Sequence, residues 1–217
     1  NLNDAFNTET TLQTDYKHPI TKTQVLELGT KVIWRDTESD YRFLVASPVG
    51  SPFVVRPERT DVFSYDQDVL ASYAMYGVKV SKYNLRMGLR YEHTKVMGDF
   101  RSKGTRVTQE YDNLFPNLSV SRNLKPNQTI KFNYSKRIQR PQLSLLNPYE
   151  NMSNPRNVIR GNPNLEAELT NSYEFGYNIN YKSGASVTTS LYWRQTNNSI
   201  QQLSMPYTGT DPDSAGR

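Results

Sequence analysis

An all-β fold, an antiparallel meander of about eight long strands, is predicted from three features of the sequence. Apolar and polar residues alternate with period two along most of the chain. The alternating runs exceed the roughly five or six residues of an ordinary globular strand. The connections alternate short and long, as they do when successive turns lie on opposite sides of a bilayer. A soluble sandwich has no reason to sort its loops by length. Together these features make the meander part of a larger transmembrane β-barrel.

The first strand is weakly patterned and covers 8–17. In the second, Leu26, Leu28, Val32 and Trp34 oppose Glu27, Gly29, Lys31 and Arg35, with a one-residue slip expected between its halves. The third sets Phe63, Tyr65, Val69, Ala71, Tyr73 and Met75 against Ser64, Asp66, Asp68, Ser72 and Ala74; Gln67 and Leu70 break the pattern. The fourth sets Tyr83, Leu85, Met87, Leu89 and Tyr91 against Asn84, Arg86, Gly88, Arg90 and Glu92. A second weak strand spans 106–122, followed by Ile130, Phe132 and Tyr134 against Lys131, Asn133, Ser135 and Arg137. The last two are the cleanest: Tyr173, Phe175, Tyr177, Ile179 and Tyr181 on one face, then Ala185, Val187, Thr189, Leu191 and Trp193. Short connections fall at 18–21, 78–81, 124–127 and 182–184. Long, extracellular-type loops fall at 37–60, 98–105 and 139–168, and another begins near 202.

Composition agrees once the right class is considered. Hydrophobic residues make up 35% of the 217 and mean hydropathy is −0.74, and no run approaches the roughly 18 consecutive apolar residues of a helical span, which excludes a helical membrane protein. Barrel strands expose only alternate residues to lipid, so a low average is compatible with spanning. The 15 tyrosines carry more information, because a ring with a polar tip suits a membrane–water interface. Tyrosine near both strand ends, as in Tyr83/Tyr91 and Tyr173/Tyr181, reads as an aromatic girdle with aliphatics between. The lipid-facing set is therefore Tyr83, Leu85, Leu89, Tyr91, Phe132, Tyr173, Phe175, Tyr177 and Trp193. Absence of cysteine removes disulfides and thiolate chemistry. The charge of +5 is scattered and forms no stripe for nucleic acid.

The opposite faces supply the ligand or lumen candidates: Arg86, Arg90, Glu92, Arg137, Arg140, Asn162 and Glu174. Arginines could hold an anionic ligand or a carboxylate by bidentate pairing; lumen solvation and pairing with Glu92 or Glu174 is the favoured reading. Gly161-Asn162-Pro163-Asn164 could shape an outer mouth, but residues that tolerate positive φ are more simply turn-formers. His18, in a short turn, and His93 lack carboxylates at ligand spacing, and Asp66 and Asp68 read as hydrated lumen residues. No nucleophile elbow, phosphate loop or zinc motif is present, so neither catalysis nor a cofactor is expected.

Six motifs in order resemble the barrel of TonB-dependent receptors, most closely those of the Bacteroidetes. They are Gly-Leu-Arg-Tyr-Glu (88–92), Leu-Phe-Pro-Asn-Leu-Ser (114–119), Tyr-Ser-Lys-Arg-Ile-Gln-Arg-Pro (134–141), Leu-Asn-Pro-Tyr (146–149), Gly-Asn-Pro-Asn-Leu-Glu-Ala-Glu (161–168) and Tyr-Glu-Phe-Gly-Tyr (173–177). The resemblance covers roughly 60–200 and departs at Ala167, where the family commonly has proline. It implies a 22-stranded barrel around a plug, importing a scarce nutrient when TonB pulls an N-terminal segment. Expected partners are then outer-membrane lipid, the rest of the barrel, the plug, and TonB through a region missing here. The polar start at 1–6 has no leader-like apolar run, and 209–217 reads as loop without a closing strand. With short turns periplasmic, both ends lie outside the cell, as in a segment cut from a larger barrel. Alone, such a segment is expected to self-associate. The competing reading is a soluble antiparallel sheet that binds glycan or protein.

Overall fold

The computed structural model describes residues 2–151, 158–204 and 206. Its main feature is one eight-stranded antiparallel sheet. The strands are β1 (Leu2–Thr21), β2 (Gln24–Arg42), β5 (Asp61–Val80), β6 (Tyr83–Phe100), β7 (Thr105–Lys125), β8 (Gln128–Gln139), β9 (Glu168–Asn180) and β10 (Ser186–Asn197), each paired with the next. A small hairpin, β3 (Leu44–Val45) with β4 (Val54–Val55), decorates the first long connection, and a single helical turn, α1 (Leu143–Leu146), lies in the last.

Three of the turns, 22–23, 81–82 and 126–127, have two residues each, and the fourth spans 181–185. At the other end lie 43–60, 101–104 and 140–167. Several sequence expectations need adjustment. The loop at 98–105 shrinks to four residues, because β6 runs to Phe100 and a 3₁₀ turn closed by Gly104 (φ 60°) reverses the chain. Strand β2 continues through Arg42, past the expected loop start at 37, and its pairing with β5 is unbroken, so there is no slip. His18 lies within β1 rather than in a turn. Polar upper halves hid these extensions, since hydrated strand ends lack alternation. Within 139–168, residues 152–157 lie outside the described residues, as does the tail at 209–217.

Register assigns every strand residue to one of two faces. The apolar face carries Leu12 and Tyr16 of β1, Leu26, Leu28, Val32 and Trp34 of β2, and Tyr83, Leu85, Met87, Leu89 and Tyr91 of β6. It continues through Leu114, Leu118 and Val120 of β7, Phe132 of β8, Phe175 of β9 and Leu191 of β10. Nothing among the described residues covers it: Leu89 is 48% exposed, Phe175 50% and Leu191 75%. A soluble domain of this length would bury most such side chains.

Strand β5 departs from the expected pattern. Phe63, Tyr65, Val69, Ala71, Tyr73 and Met75 share a face with Arg90, Glu92 and Thr94, not with Leu89. Asp66 and Asp68, read as lumen residues, lie on the apolar side beside Asp36 and Trp34. The reason is local. The 140–167 connection folds back over the polar face, where Leu146 joins Tyr65, Val96 and Phe100 in a small core flanked by Phe63, Val107, Leu143 and Leu165. The apolar residues of upper β5 serve this satellite core. Its contribution to the apolar face comes from Leu70, Ala74, Tyr76, Val78 and Val80.

Gly161 is the tightest point of that connection. Its N–H donates to the Asn147 carbonyl (2.9 Å), and a Cβ there would stand 2.5 Å from the same oxygen. Positive φ is not what is required, because Gly161 is absent from the left-handed positions; close backbone approach is. Gly161→Ala is therefore expected to detach the 158–165 stretch from α1. Limited proteolysis of the folded protein should show faster cleavage between 147 and 165 than in the parent.

Candidate functional site

The polar face is the candidate site. Arg86, Arg90 and Glu92 of β6, Arg137 of β8 and Glu174 of β9 all fall on it by register, and Arg140 reaches it from the start of the last long connection. All nine residues expected to face lipid fall on the opposite side.

The densest cluster centres on Glu92, which is 6% exposed. Arg90 Nε stands 3.0 Å from one carboxylate oxygen, and Arg140 Nη2 donates to the other at 2.6 Å and to Thr94 Oγ1 at 2.7 Å. The Arg90 guanidinium also lies 5.0 Å over the Phe115 ring. Two cations on one carboxylate leave a net positive site. Charge-assisted bonds to a nearly dry carboxylate are strong and rigid. Arg140 is 48 residues from Glu92, so the bond ties the connection to the wall.

Further pairs run along the wall. Arg35 bridges Glu9 and Gln67, and Glu27 receives Lys17 and Arg86, both at 3.3 Å. Glu174 accepts from Asn133 Nδ2 (3.2 Å) and not from an arginine as expected. Arg137 forms no ion pair among the described residues. Among the described residues the arginine ion pairs thus gather at Glu92 rather than at Glu174. Asn162 is a turn-former: its Oδ1 accepts the Asn164 N–H at 3.0 Å and its own N–H donates to Leu145.

Additional contacts fasten the connection. Asn147 Nδ2 donates to Asp61 Oδ2 (2.7 Å), Tyr149 donates its hydroxyl to the Arg59 carbonyl (3.0 Å), and Gln109 Nε2 reaches the Leu165 carbonyl (3.2 Å). Burial pushes the Asp61 carboxyl above its usual 3.8, opposed by the Asn147 bond and Lys103. A carboxyl raised in the folded state contributes stability that is complete below its unfolded value and is lost as pH rises through the folded one. The Asp61 anchor should therefore tighten in acid. Asp61→Asn is expected to abolish that dependence while keeping an acceptor, as read by exchange of the loop amides at pH 4 and pH 7 (~3 units apart, across the carboxylate range).

Beyond the connection, pairing of β7 with β8 stops at Asn117–Ser135, leaving 105–116 without a partner on that side among the described residues. A cleft of about 660 Å³ opens there, lined by Glu110, Tyr111, Asn164, Glu166 and Leu169 among others. On the apolar side His93 Nδ1 stands 2.9 Å from Asp112 and Nε2 3.6 Å from Glu110. These carboxylates come from the neighbouring strand, which spacing along one strand does not reveal. No group of three or more metal-ligating side chains with metal-binding geometry occurs among the described residues.

A family model described as the outer membrane protein beta-barrel family matches residues 1–211. The chain belongs to that family. Its apolar face therefore meets the outer membrane, and the soluble alternative is set aside. Among curated proteins, none matches the sequence. Solved structures share the fold. The copper transporter OprC aligns at TM-score 0.64 and 12% identity, over 88% of this chain and 30% of that one. The ferric citrate transporter FecA, unliganded, aligns at 0.62 and 15%, over 93% and 29%. The ferric yersiniabactin uptake receptor FyuA from Yersinia pestis aligns at 0.60 and 10%, over 89% and 29%. The chain thus spans less than a third of these barrels.

In this outer membrane barrel, aromatic rings of neighbouring strands meet on the apolar face. Tyr134, Tyr173 and Trp193 stack in one cross-strand row, with ring centroids 4.9 and 5.3 Å apart. That row continues through Leu118, Met87 and Tyr76 to Leu26, eight residues from Trp34.

Proposed function

We propose that the chain forms about a third of the wall of a TonB-dependent receptor that imports a scarce nutrient, with the Glu92 cluster and the folded-back 140–167 connection at its outer mouth (~8 of 22 strands). The observation that carries this reading is the segregation of faces: an uncovered apolar belt on one side, and on the other a charged wall with a loop docked on it. A purely structural barrel needs no loop fastened over its polar face. Orientation follows from loop length, short turns in the periplasm and long connections outside. In this setting the rest of the barrel pairs with β1 and β10, a plug fills the lumen, and TonB supplies energy through a segment outside this chain.

The cationic excess at Arg90, Arg140 and Arg137 suits an anionic ligand or plug carboxylates. OprC, FecA and FyuA are named for copper, ferric citrate and ferric yersiniabactin, which makes metal species the first probes. The test is growth of a strain lacking the protein, with iron and copper withheld in turn. A defect restored by the protein, but not when TonB is absent, is expected. Unchanged growth in every limited medium would contradict import.

A further inference from the structure

The short turns share a cationic composition. The stretches 18–26, 78–85, 121–129 and 178–188 contain Lys22, Lys79, Lys82, Arg122, Lys125 and Lys182, and not one of the chain's 21 Asp and Glu residues. Each of the four stretches carries at least one cation. At the opposite end of the strands both signs mix, with Asp36, Glu38, Asp40, Glu58 and Asp61 set among Arg42, Arg56 and Arg59.

The six cations are exposed, and none forms an ion pair among the described residues. Elsewhere pairing is common: Lys17, Arg35, Arg42, Arg86, Arg90 and Arg140 all have carboxylate partners. Arg122 has an aromatic partner instead, its guanidinium 5.1 Å over the Tyr83 ring. Position matters as much as charge. Register places Val80, Tyr83, Gln128 and Ile179 as the last outward residues of their strands, immediately below the turns. The cations begin where the lipid belt ends. Successive hairpins repeat every ~10 Å, so the turns form a row of separated positive points at headgroup depth.

We infer that this row is a binding surface for the anionic phospholipid headgroups of the periplasmic leaflet. Lysines on flexible stems reach from apolar surface to phosphate at the interface, and clusters of them recruit anionic lipid. Headgroups are the occupant because the row is continuous with the lipid-contacting belt. A soluble anion would gain nothing from that continuity. The assignment rests on the proposed orientation, with short turns in the periplasm.

The test uses the protein purified from outer membranes and reconstituted in phosphatidylcholine nanodiscs with phosphatidylglycerol or with lipid A added. Lipid retained after transfer to detergent is counted by native mass spectrometry. Phosphatidylglycerol should be retained preferentially, and less so as salt rises. The combined variant Lys22→Gln, Lys82→Gln, Lys125→Gln, Lys182→Gln should lose roughly tenfold or more of it, while the same four changed to arginine should retain it. Equal retention by the glutamine variant, or equal loss by the arginine variant, overturns the inference. Preference for lipid A overturns it too. Orientation is read separately from Ser81→Cys: a membrane-impermeant maleimide should label it only after the outer membrane is permeabilised. Labelling on intact cells contradicts the orientation, whatever lipid is bound.

Discussion

Phe132→Arg should block assembly into the membrane, and Asn133→Arg should not. The two residues are neighbours in β8 at nearly one depth, on opposite faces. Phe132 sits in a row with Val120, Phe175 and Leu191, so a guanidinium there enters hydrocarbon with no partner. A lipid-facing arginine near the bilayer centre costs about 2–4 kcal/mol. That is roughly 30- to 1000-fold in the folded fraction. At 133 the new cation meets Glu174, to which Asn133 already donates, in a hydrated lumen. Urea titration in lipid vesicles should show a large loss of stability for the first variant and a change below ~0.5 kcal/mol for the second.

Glu92→Ala should free the 140–167 connection. Removing the carboxylate leaves Arg90 and Arg140 facing one another across a partly buried site, and takes from Arg140 its charged tether. Breaking one partner of a fully buried pair costs roughly 3–5 kcal/mol. Here Arg90 is 43% exposed, so about 2 kcal/mol is the appropriate scale. Opening is local, because the substitution removes a side chain and leaves the backbone pairing of β6 with β5 and β7 intact. Protease should therefore cut within 140–167 about 30-fold faster, with the global unfolding midpoint nearly unchanged. Leu146→Ala, which empties the satellite core without touching a charge, should give the same cleavage phenotype by a different route.

These experiments also separate what the sequence shows from what it hides. Where a strand meets lipid on one side and water on the other, as at Tyr83–Glu92 and Tyr173–Tyr181, alternation alone assigns the faces correctly. It fails in β5, because two apolar environments lie on opposite sides of one strand: lipid below, the folded-back connection above. Leu70, a break in the pattern, is where the lipid belt begins. Strand extensions above the membrane are invisible for a related reason, since residues wet on both faces carry no period. The Arg140–Glu92 and His93–Asp112 contacts depend on which strands become neighbours and in what register, information held by the whole sheet rather than by any segment.

The most direct test of the face assignment is a nitroxide scan of residues 129–135 in the membrane-inserted protein. The chain has no cysteine of its own, so each position can be labelled singly. Oxygen, which concentrates in lipid, should relax labels at 130, 132 and 134 strongly, while a polar nickel complex should relax those at 129, 131, 133 and 135. An absent or inverted alternation would mean that Ile130, Phe132 and Tyr134 do not face lipid, and the barrel-wall account would fall.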